Sequence, residues 1–498
     1  MAIAFKGFFL NSRIEKRTAT FSRFAKEKDV LSMGMTFFDK VWDHHVISLQ
    51  DTDRLLQIDR LLLHDQGGTA LRKLQKSGRA VACPSQVFTF FDHLVETRPG
   101  RGDSESSIVG GSEMIRSARS MAKEYGFSSY DIGNPNQGII HVVATEQGVA
   151  LPGLTVACAD SHVCTVGGIG AVGIAISATE GEHILATQTL ALPKPRNMRI
   201  SLSGHISSGL TAKDIALHII GQIGASGGIG YAVEFSGSAV SSMSIEGRLT
   251  LCNLAIDFSA NCGFVAPDES TIEYVRKTRF SPKGKLFEKA CAYWMSLRSD
   301  PDAIFDREID LNVSDLAPHV TWGTSLDHVI AIDEPIPDPQ SISDVQIRRA
   351  WERAIDYMKL RPGSPIDGIQ IDVAYIGSCT NSRISDLRSA AAVLKGRKIA
   401  PGVVAICVPG STSIKREAEA EGLDVVFKDA GFEWHESGCG MCSADGRTNF
   451  SDRRVISTTN RNFEGRQGPR TKTHLASPAT VAASSIAGAI SDPRKYHQ

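Results

Sequence analysis

"IDVAYIGSCTNSRISDLRSAAAVLKG", Ile371 to Gly396, carries the fold in one line. A short apolar run stops at a Gly-Ser-Cys-Thr turn, apolar residues then recur at helical spacing, and Lys-Gly closes the segment. The same order returns in "GVVAICVPGSTSIKREAEAEG" (Gly402 to Gly422): a buried strand, a Pro-Gly-Ser-Thr turn, and an Ala/Glu-rich helix ended by glycine. Earlier in the chain, "GLTVACADSH" (Gly153 to His162) gives way to the helical pattern of "TEGEHILATQTL" (Thr179 to Leu190). Strand, loop and helix in alternation predict α/β domains with parallel sheets, and ligands gathered beyond the C-terminal ends of the strands.

Around that pattern the composition is that of a soluble globular protein. The 498 residues, 42% hydrophobic and 22% charged, suffice for two to four domains with ample cores. Fifty-four basic side chains against 55 acidic ones give no overall field that would favour nucleic acid or an anionic membrane as partner. No apolar run approaches the roughly 18 residues of a membrane span, and no secretory signal leads the chain. Ten dispersed cysteines read as reduced thiols of a cytosol-like compartment, and a cytoplasmic location is expected. Residues 1–33 differ: Met1 to Lys26 holds six basic residues and a single acid among five phenylalanines, the pattern of either an organelle-targeting segment or a plain extension. A mitochondrial location is the alternative that this segment raises.

Linker-like stretches at "ALPKPRNMR" (Ala191 to Arg199) and "VSDLAPHVTWGTS" (Val313 to Ser325) divide the rest. The expected blocks are 34–196, 197–316 and 317–491, followed by a tail at 492–498. No repeat at a period of about 20–50 residues and no low-complexity tract interrupts them.

Three cysteines fall in glycine-bearing turns. Cys379 lies in the Gly-Ser-Cys-Thr turn, and Cys439 and Cys442 share "HESGCGMCSADG" (His435 to Gly446). Loops of this kind can bring backbone N–H groups to a cluster's sulfurs. A structural zinc would need a fourth protein ligand, thioredoxin-like chemistry would want the pair at a helix start, and two incidental thiols remain the plain reading of Cys439 and Cys442.

"IGSCTNSR", then "GCGMC", then "TTNRNFEGRQG" (Thr458 to Gly468), in that order, resemble the aconitase family, in particular its branch of 3-isopropylmalate dehydratase large subunits. "TFFDKVWDHHVI", "FDHLVET", "QGIIHVVATEQG", "ADSHVCTVGGIGAVG", "EGRLTLCNLAID" and "THLASPATVAA" extend the likeness from about Met33 to about Ser491. The resemblance implies three α/β domains around one [4Fe-4S] cluster, held by Cys379, Cys439 and Cys442 with one iron left open. Dehydrating a 2-hydroxy acid means expelling hydroxide and removing a carbon-bound proton, and a Lewis-acidic iron without a cysteine can take the hydroxyl and a carboxylate. It also implies acid/base pairs Asp92–His93, His141–Asp160 and His162–Asp257. Substrate contacts would come from Arg461, Arg466, Asn460, Asn381, Ser161 and His64. Arginine suits carboxylates because its planar fork binds them bidentately.

The family's fourth, swivelling domain, which brings a serine base over the cluster, has no counterpart after "SPATVAA". The resemblance therefore implies a small subunit that supplies the base, as a heterodimer, with no membrane or nucleic-acid partner. The expected reaction is dehydration and rehydration of a di- or tricarboxylic 2-hydroxy acid, foremost 2-isopropylmalate to 3-isopropylmalate, in leucine biosynthesis. An aconitase- or homoaconitase-type subunit and a cluster-sensing, RNA-binding relative are the alternatives. Three departures stand out: Asp257 where glutamate is usual, Val163 and Val166 where threonine and histidine are usual, and "CSADGRTNF" after Cys442 in place of a "CLAMN"-like run. They predict a carboxylate that falls short of His162 and an altered wall near the site.

Overall fold

Val373 to Ile376, the apolar run ahead of Cys379, is the middle strand of a parallel sheet buried on both faces, which is why it reads as continuous apolar sequence rather than alternation. The computed structural model describes residues 34–50, 53–207, 209–443 and 450–496. The basic segment 1–33 and the altered run at 444–449 lie outside the described residues.

Three parallel sheets organise the molecule. An antiparallel ribbon of β1 (Val46–Gln50) and β2 (Asp53–Gln57) precedes the first. That sheet takes β3 (Arg60–His64), β4 (Val87–Phe90), β5 (Ser128–Tyr130), β6 (Thr155–Cys158) and β7 (Val172–Ala175), in the spatial order β5-β4-β3-β6-β7. β8 (Thr189–Pro193) returns to pair with β2. The second sheet is formed by β9 (Arg196–Ser203), β10 (Tyr231–Ser236), β11 (Cys262–Phe264) and β12 (Arg307–Asn312), ordered β11-β10-β9-β12. After the hairpin β13 (His319–Thr321) and β14 (Val329–Ala331), the third sheet takes β15 (Val373–Ile376), β16 (Val404–Cys407), β17 (Glu433–Trp434), β18 (Arg454–Ser457) and β19 (Lys472–Leu475). Its order, β17-β16-β15-β18-β19, repeats that of the first sheet.

In both five-stranded sheets the chain begins in the middle, winds to one edge, then crosses to the other side. Loops leaving β3 and β6, and likewise β15 and β18, diverge from one another and open a crevice at the carboxyl ends of the strands. Those crevices hold the residues singled out by motif.

Two expectations fail locally. The supposed linker at 191–199 lies in β8 and β9, with only Lys194 and Pro195 between them. Pro193 is tolerated because it ends a strand whose partner is an antiparallel ribbon, and the prolines hid the period-two burial of Arg196–Ser203. The stretch 313–325 likewise contains β13. The cores also ignore a cut at 196. Phe37, Phe38 and Trp42 of the Phe37–His45 helix pack with the first sheet and with Leu249, Phe264, Phe287, Trp294 and Leu297 from further along the chain. Among the described residues no helix is long and apolar enough to cross a membrane.

One close crossing ties the loop after β6 to a helix of the second sheet. The 3-10 segment Ser161–Ile169 passes the Ile245–Asn253 helix so tightly that a Cβ on Gly168 would sit 2.6 Å from the Leu249 nitrogen. Val163 and Val166, expected near the site, are fully buried in the first core under this segment. Branched apolar residues there fill core space.

Candidate active site

The loop after β4 carries Asp92 and His93, and the loop after β6 carries Asp160, Ser161 and His162. Asp92 is fully buried; its Oδ2 accepts from the Ile140 N–H at 2.9 Å, and its Oδ1 lies 2.8 Å from His93 Nδ1. The other ring nitrogen of His93 lies 3.0 Å from Asp160 Oδ2. Burial alone would drive the His93 pKa down, but the Asp92 carboxylate, with Cys439 and Asp160, outweighs it and holds the imidazole protonated well above its ordinary range.

Asp160 is the hub of the network. His141 Nε2 lies 3.3 Å from its Oδ2, an ion-pair distance off the line of a hydrogen bond, so neither ring nitrogen of this fully buried histidine has a well-aligned hydrogen-bond partner among the described residues. His162 Nδ1 lies 3.4 Å from Asp160 Oδ1, whose oxygen also accepts the His162 backbone N–H and starts the 3-10 segment. Against burial, the three imidazoles hold the Asp160 carboxyl well below the usual carboxylate range. Asp257, at the end of the helical turn Leu254–Phe258, does reach His162, with Oδ2 3.3 Å from Nε2. The shorter side chain is compensated by the tight crossing that brings residues 245–258 against the 161–169 segment. His64, the last residue of β3, packs against His93 with ring centroids 4.5 Å apart and the planes tilted by 32°. Burial and the neighbouring His93 pull its pKa down to about 4; its Nδ1 accepts from the Gln66 N–H, so it is a neutral ring with its proton on Nε2.

The thiols come from the third sheet. Cys379 follows β15, and Cys439 and Cys442 follow β17; all three are buried. Each is met by polar neighbours. Asn253 Nδ2 donates to Cys379 Sγ at 3.2 Å, Ser378 Oγ to Cys442 Sγ at 3.2 Å, and Arg466 NH2 reaches Cys442 Sγ at 3.5 Å, while Cys439 Sγ lies 3.6 Å from Asp92 Oδ2. Ser378 takes a left-handed backbone, φ 84°, unusual for a residue other than glycine and fully buried here. Burial raises the Cys442 pKa, yet Arg466 and Ser378 bring it below the ordinary thiol value. The donor set suits an iron–sulfur cluster. Among the described residues, the groups of metal-capable side chains within 4.8 Å of one another are His64, Asp65 and His93, and Asp92, His93 and Cys439. The three cysteine sulfurs are not gathered that tightly, as ligands of one tetrahedral ion would be, and Cys379 and Cys442 carry the amide, hydroxyl and guanidinium donors that cluster thiolates accept.

Arg461, in the loop after β18, donates from Nε to Asp257 Oδ1 at 3.2 Å and from NH2 to Ser161 Oγ at 2.9 Å, so it spans the two crevices. Asn460 stands between two of the thiols, 3.6 Å from Cys379 Sγ through Nδ2 and 3.6 Å from Cys442 Sγ through Oδ1. Arg466 lies over the exposed Phe463 ring. Asn381 is not brought to the thiols: its amide donates to Asp386 at 2.9 Å and approaches Thr250 at 3.4 Å. Motif reading missed Asn253, Ser378 and Lys213. Asn253 and Lys213 are buried polar residues on largely apolar helices, with Thr250 and Asp214 nearby in "LTLCNLA" and "TAKDIALHII".

Parallel sheets whose crevices join a carboxylate–imidazole network to a buried set of thiols define an enzyme of acid–base chemistry assisted by a metal cluster. The family model described as the aconitase family (aconitate hydratase) matches residues 39–488, and the chain belongs to that family of hydro-lyases, membership of which implies an iron–sulfur cluster. It is 49% identical, over 464 residues, to the 3-isopropylmalate dehydratase large subunit 1 of Bradyrhizobium diazoefficiens, covering 93% of this chain and 97% of that protein. A crystal structure of aconitase X from Thermococcus kodakaraensis in its holo form covers 82% of this chain and 84% of its own, with a TM-score of 0.43 at 12% identity.

Proposed function

We propose that this chain is the large subunit of an iron–sulfur hydro-lyase that interconverts 2-isopropylmalate and 3-isopropylmalate or a close analogue, with a [4Fe-4S] cluster on Cys379, Cys439 and Cys442 and one iron open. The observation that carries the reading is the pairing of those buried, hydrogen-bonded thiols with the Asp92–His93 dyad in one facing pair of crevices. The relative named a large subunit supports a small-subunit partner.

The open iron, when bound, supplies Lewis acidity to the hydroxyl that departs. His93, kept cationic by Asp92, donates the proton that turns this hydroxyl into water. Asp160 orients His93, His141 and His162 together and holds the released water's hydrogen-bonding partners in place. Arg461, fixed between Asp257 and Ser161, offers its remaining guanidinium donors to a substrate carboxylate, and neutral His64 offers Nε2–H. Arg466 stabilises negative charge at the Cys442 sulfur, and the Asn460 amide N–H does so at Cys379. The carbon-bound proton is taken by a base from the small subunit. Along the chain the three sheets fall, to within the first residue of β9, in the blocks 34–196, 197–316 and 317–491, with a tail at 492–498, and the first core borrows side chains from the second block.

Anaerobic purification with and without a co-expressed small subunit tests this. Iron and sulfide near four each per chain, and alkene absorbance from 2-isopropylmalate only with the partner, are expected. A folded chain that takes up no iron would sink the cluster assignment; a loaded complex inert on hydroxy acids would sink the activity.

A further inference from the structure

Lys213 sits where a lysine is expensive. It is fully buried, and it is the second residue of the Ala212–Ile223 helix, whose positive end repels a cation. A leucine or methionine would fill the space without either cost. What the ammonium does there is donate to two backbone carbonyls, Thr458 O at 3.3 Å and Thr459 O at 2.6 Å, at the start of the loop that follows β18. Burial pulls its pKa down to about 8, with Asp257, Cys442, Cys379 and Asp214 pulling the other way.

The next two residues of that loop are Asn460, between the thiols, and Arg461, between Asp257 and Ser161. Their side chains can hold those positions only if the backbone feeding them is fixed. The loop's own bonds hold its N–H and hydroxyl groups: the Thr458 N–H reaches Tyr375 O and its hydroxyl bonds to Gly377 and Asn381, while the Thr459 N–H and hydroxyl meet the Ser457 hydroxyl. Among the described residues the Thr458 and Thr459 carbonyls are taken by Lys213. Lys213 is the tie from the second sheet's helix to the third sheet's loop.

We infer that Lys213 is a positioning residue, which by gripping the Thr458 and Thr459 carbonyls fixes the reach of Asn460 and Arg461 and thereby sets affinity for the hydroxy acid. The affinity part rests on the function proposed above; the grip on the loop does not. Full-length chain, purified anaerobically with its iron content measured, is compared as wild type, Lys213→Met and Lys213→Arg. Amide exchange at Thr458 and Thr459 and calorimetric titration with 2-isopropylmalate are the readouts. Lys213→Met is expected to lose protection at both amides and to bind about tenfold more weakly, since small misplacements of a binding group cost one to two orders of magnitude. Lys213→Arg, which keeps the charge and the donors, is expected to restore both. Wild-type protection in a folded Lys213→Met protein overturns the inference.

Should Lys213→Met not fold, Lys213→Gln, neutral and one bond shorter, replaces it against Lys213→Arg. Protection that is lower in the glutamine variant supports the inference, and equal protection in the two overturns it. If the wild type fails to bind 2-isopropylmalate both alone and with a co-expressed small subunit, the proposed substrate is wrong, and the exchange result alone decides the role of Lys213.

Discussion

Asp92 shows how one side chain sets another's chemistry. Its buried carboxylate, 2.8 Å from His93 Nδ1, is the largest influence keeping that ring charged against burial. A proton-donating His93 stays active until pH rises through its elevated pKa. In Asp92→Asn the alkaline limb of the pH–rate profile is expected to move to lower pH, with kcat down by about 10²-fold or more and iron content unchanged, measured on the complex with the small subunit. An unmoved limb would refute the pairing. Cys439→Ser is expected to purify with most of its iron lost, by metal analysis, while its far-UV spectrum stays that of the wild type. At this scale the sequence named nearly every group found together, because the motifs quote loops whose neighbours are local in the chain. It failed where a local turn or a crossing between distant segments decides the contact. Asn381 turns back to Asp386 five residues on; Asp257, paired with His162 by motif but expected to fall short, reaches it; and Lys213 joins the site from another sheet.

Among the elements, the strands that read as unbroken apolar runs were legible, and those interrupted by proline were not. "VAYI" and "VAIC" can only be central parallel strands, whereas β8 and the start of β9 hide behind "LPKPR". Two elements make predictions of their own. His474, in β19, is fully buried; its Nδ1 donates to Thr321 O at 2.6 Å, and its Nε2 accepts from Arg454 at 2.8 Å. Burial and Arg454 pull its pKa down to about 3. The folded state keeps the ring neutral while the unfolded chain takes up a proton below about pH 6.5, so stability present above that pH is lost as pH falls toward 3, by about 1.4 kcal/mol per pH unit. Urea midpoints for wild type and His474→Gln should diverge in slope over that range; parallel slopes would be the contrary result. At the crossing of the Ser161–Ile169 segment and the Ile245–Asn253 helix, Gly168→Ala has no room against the Leu249 backbone and should cost about 1–3 kcal/mol. The same variant should weaken iron retention, because the displaced helix carries Asn253, which donates to Cys379.

On the scale of the whole molecule, the site exists only while the first and third sheets face each other, since the acid–base groups belong to one and the thiols to the other. A ligand that bridges them binds the native state alone and should stabilise it by mass action. Chelation of the cluster is expected to lower the melting temperature of the full chain by several degrees, by scanning calorimetry under anaerobic conditions, and reconstitution to restore it. The paired strand orders of the two outer sheets could be read only after pairing was seen, since sequence gives the strands but not their neighbours.

The first core draws Phe264, Phe287, Trp294 and Leu297 from well beyond its own last strand. During synthesis, a nascent chain that has emerged through β7 therefore cannot yet close that core, and its apolar faces wait uncovered until the ribosome has delivered Leu297. Slowing translation between these points, or truncating the gene there, leaves a fragment that calls on chaperones rather than one that folds.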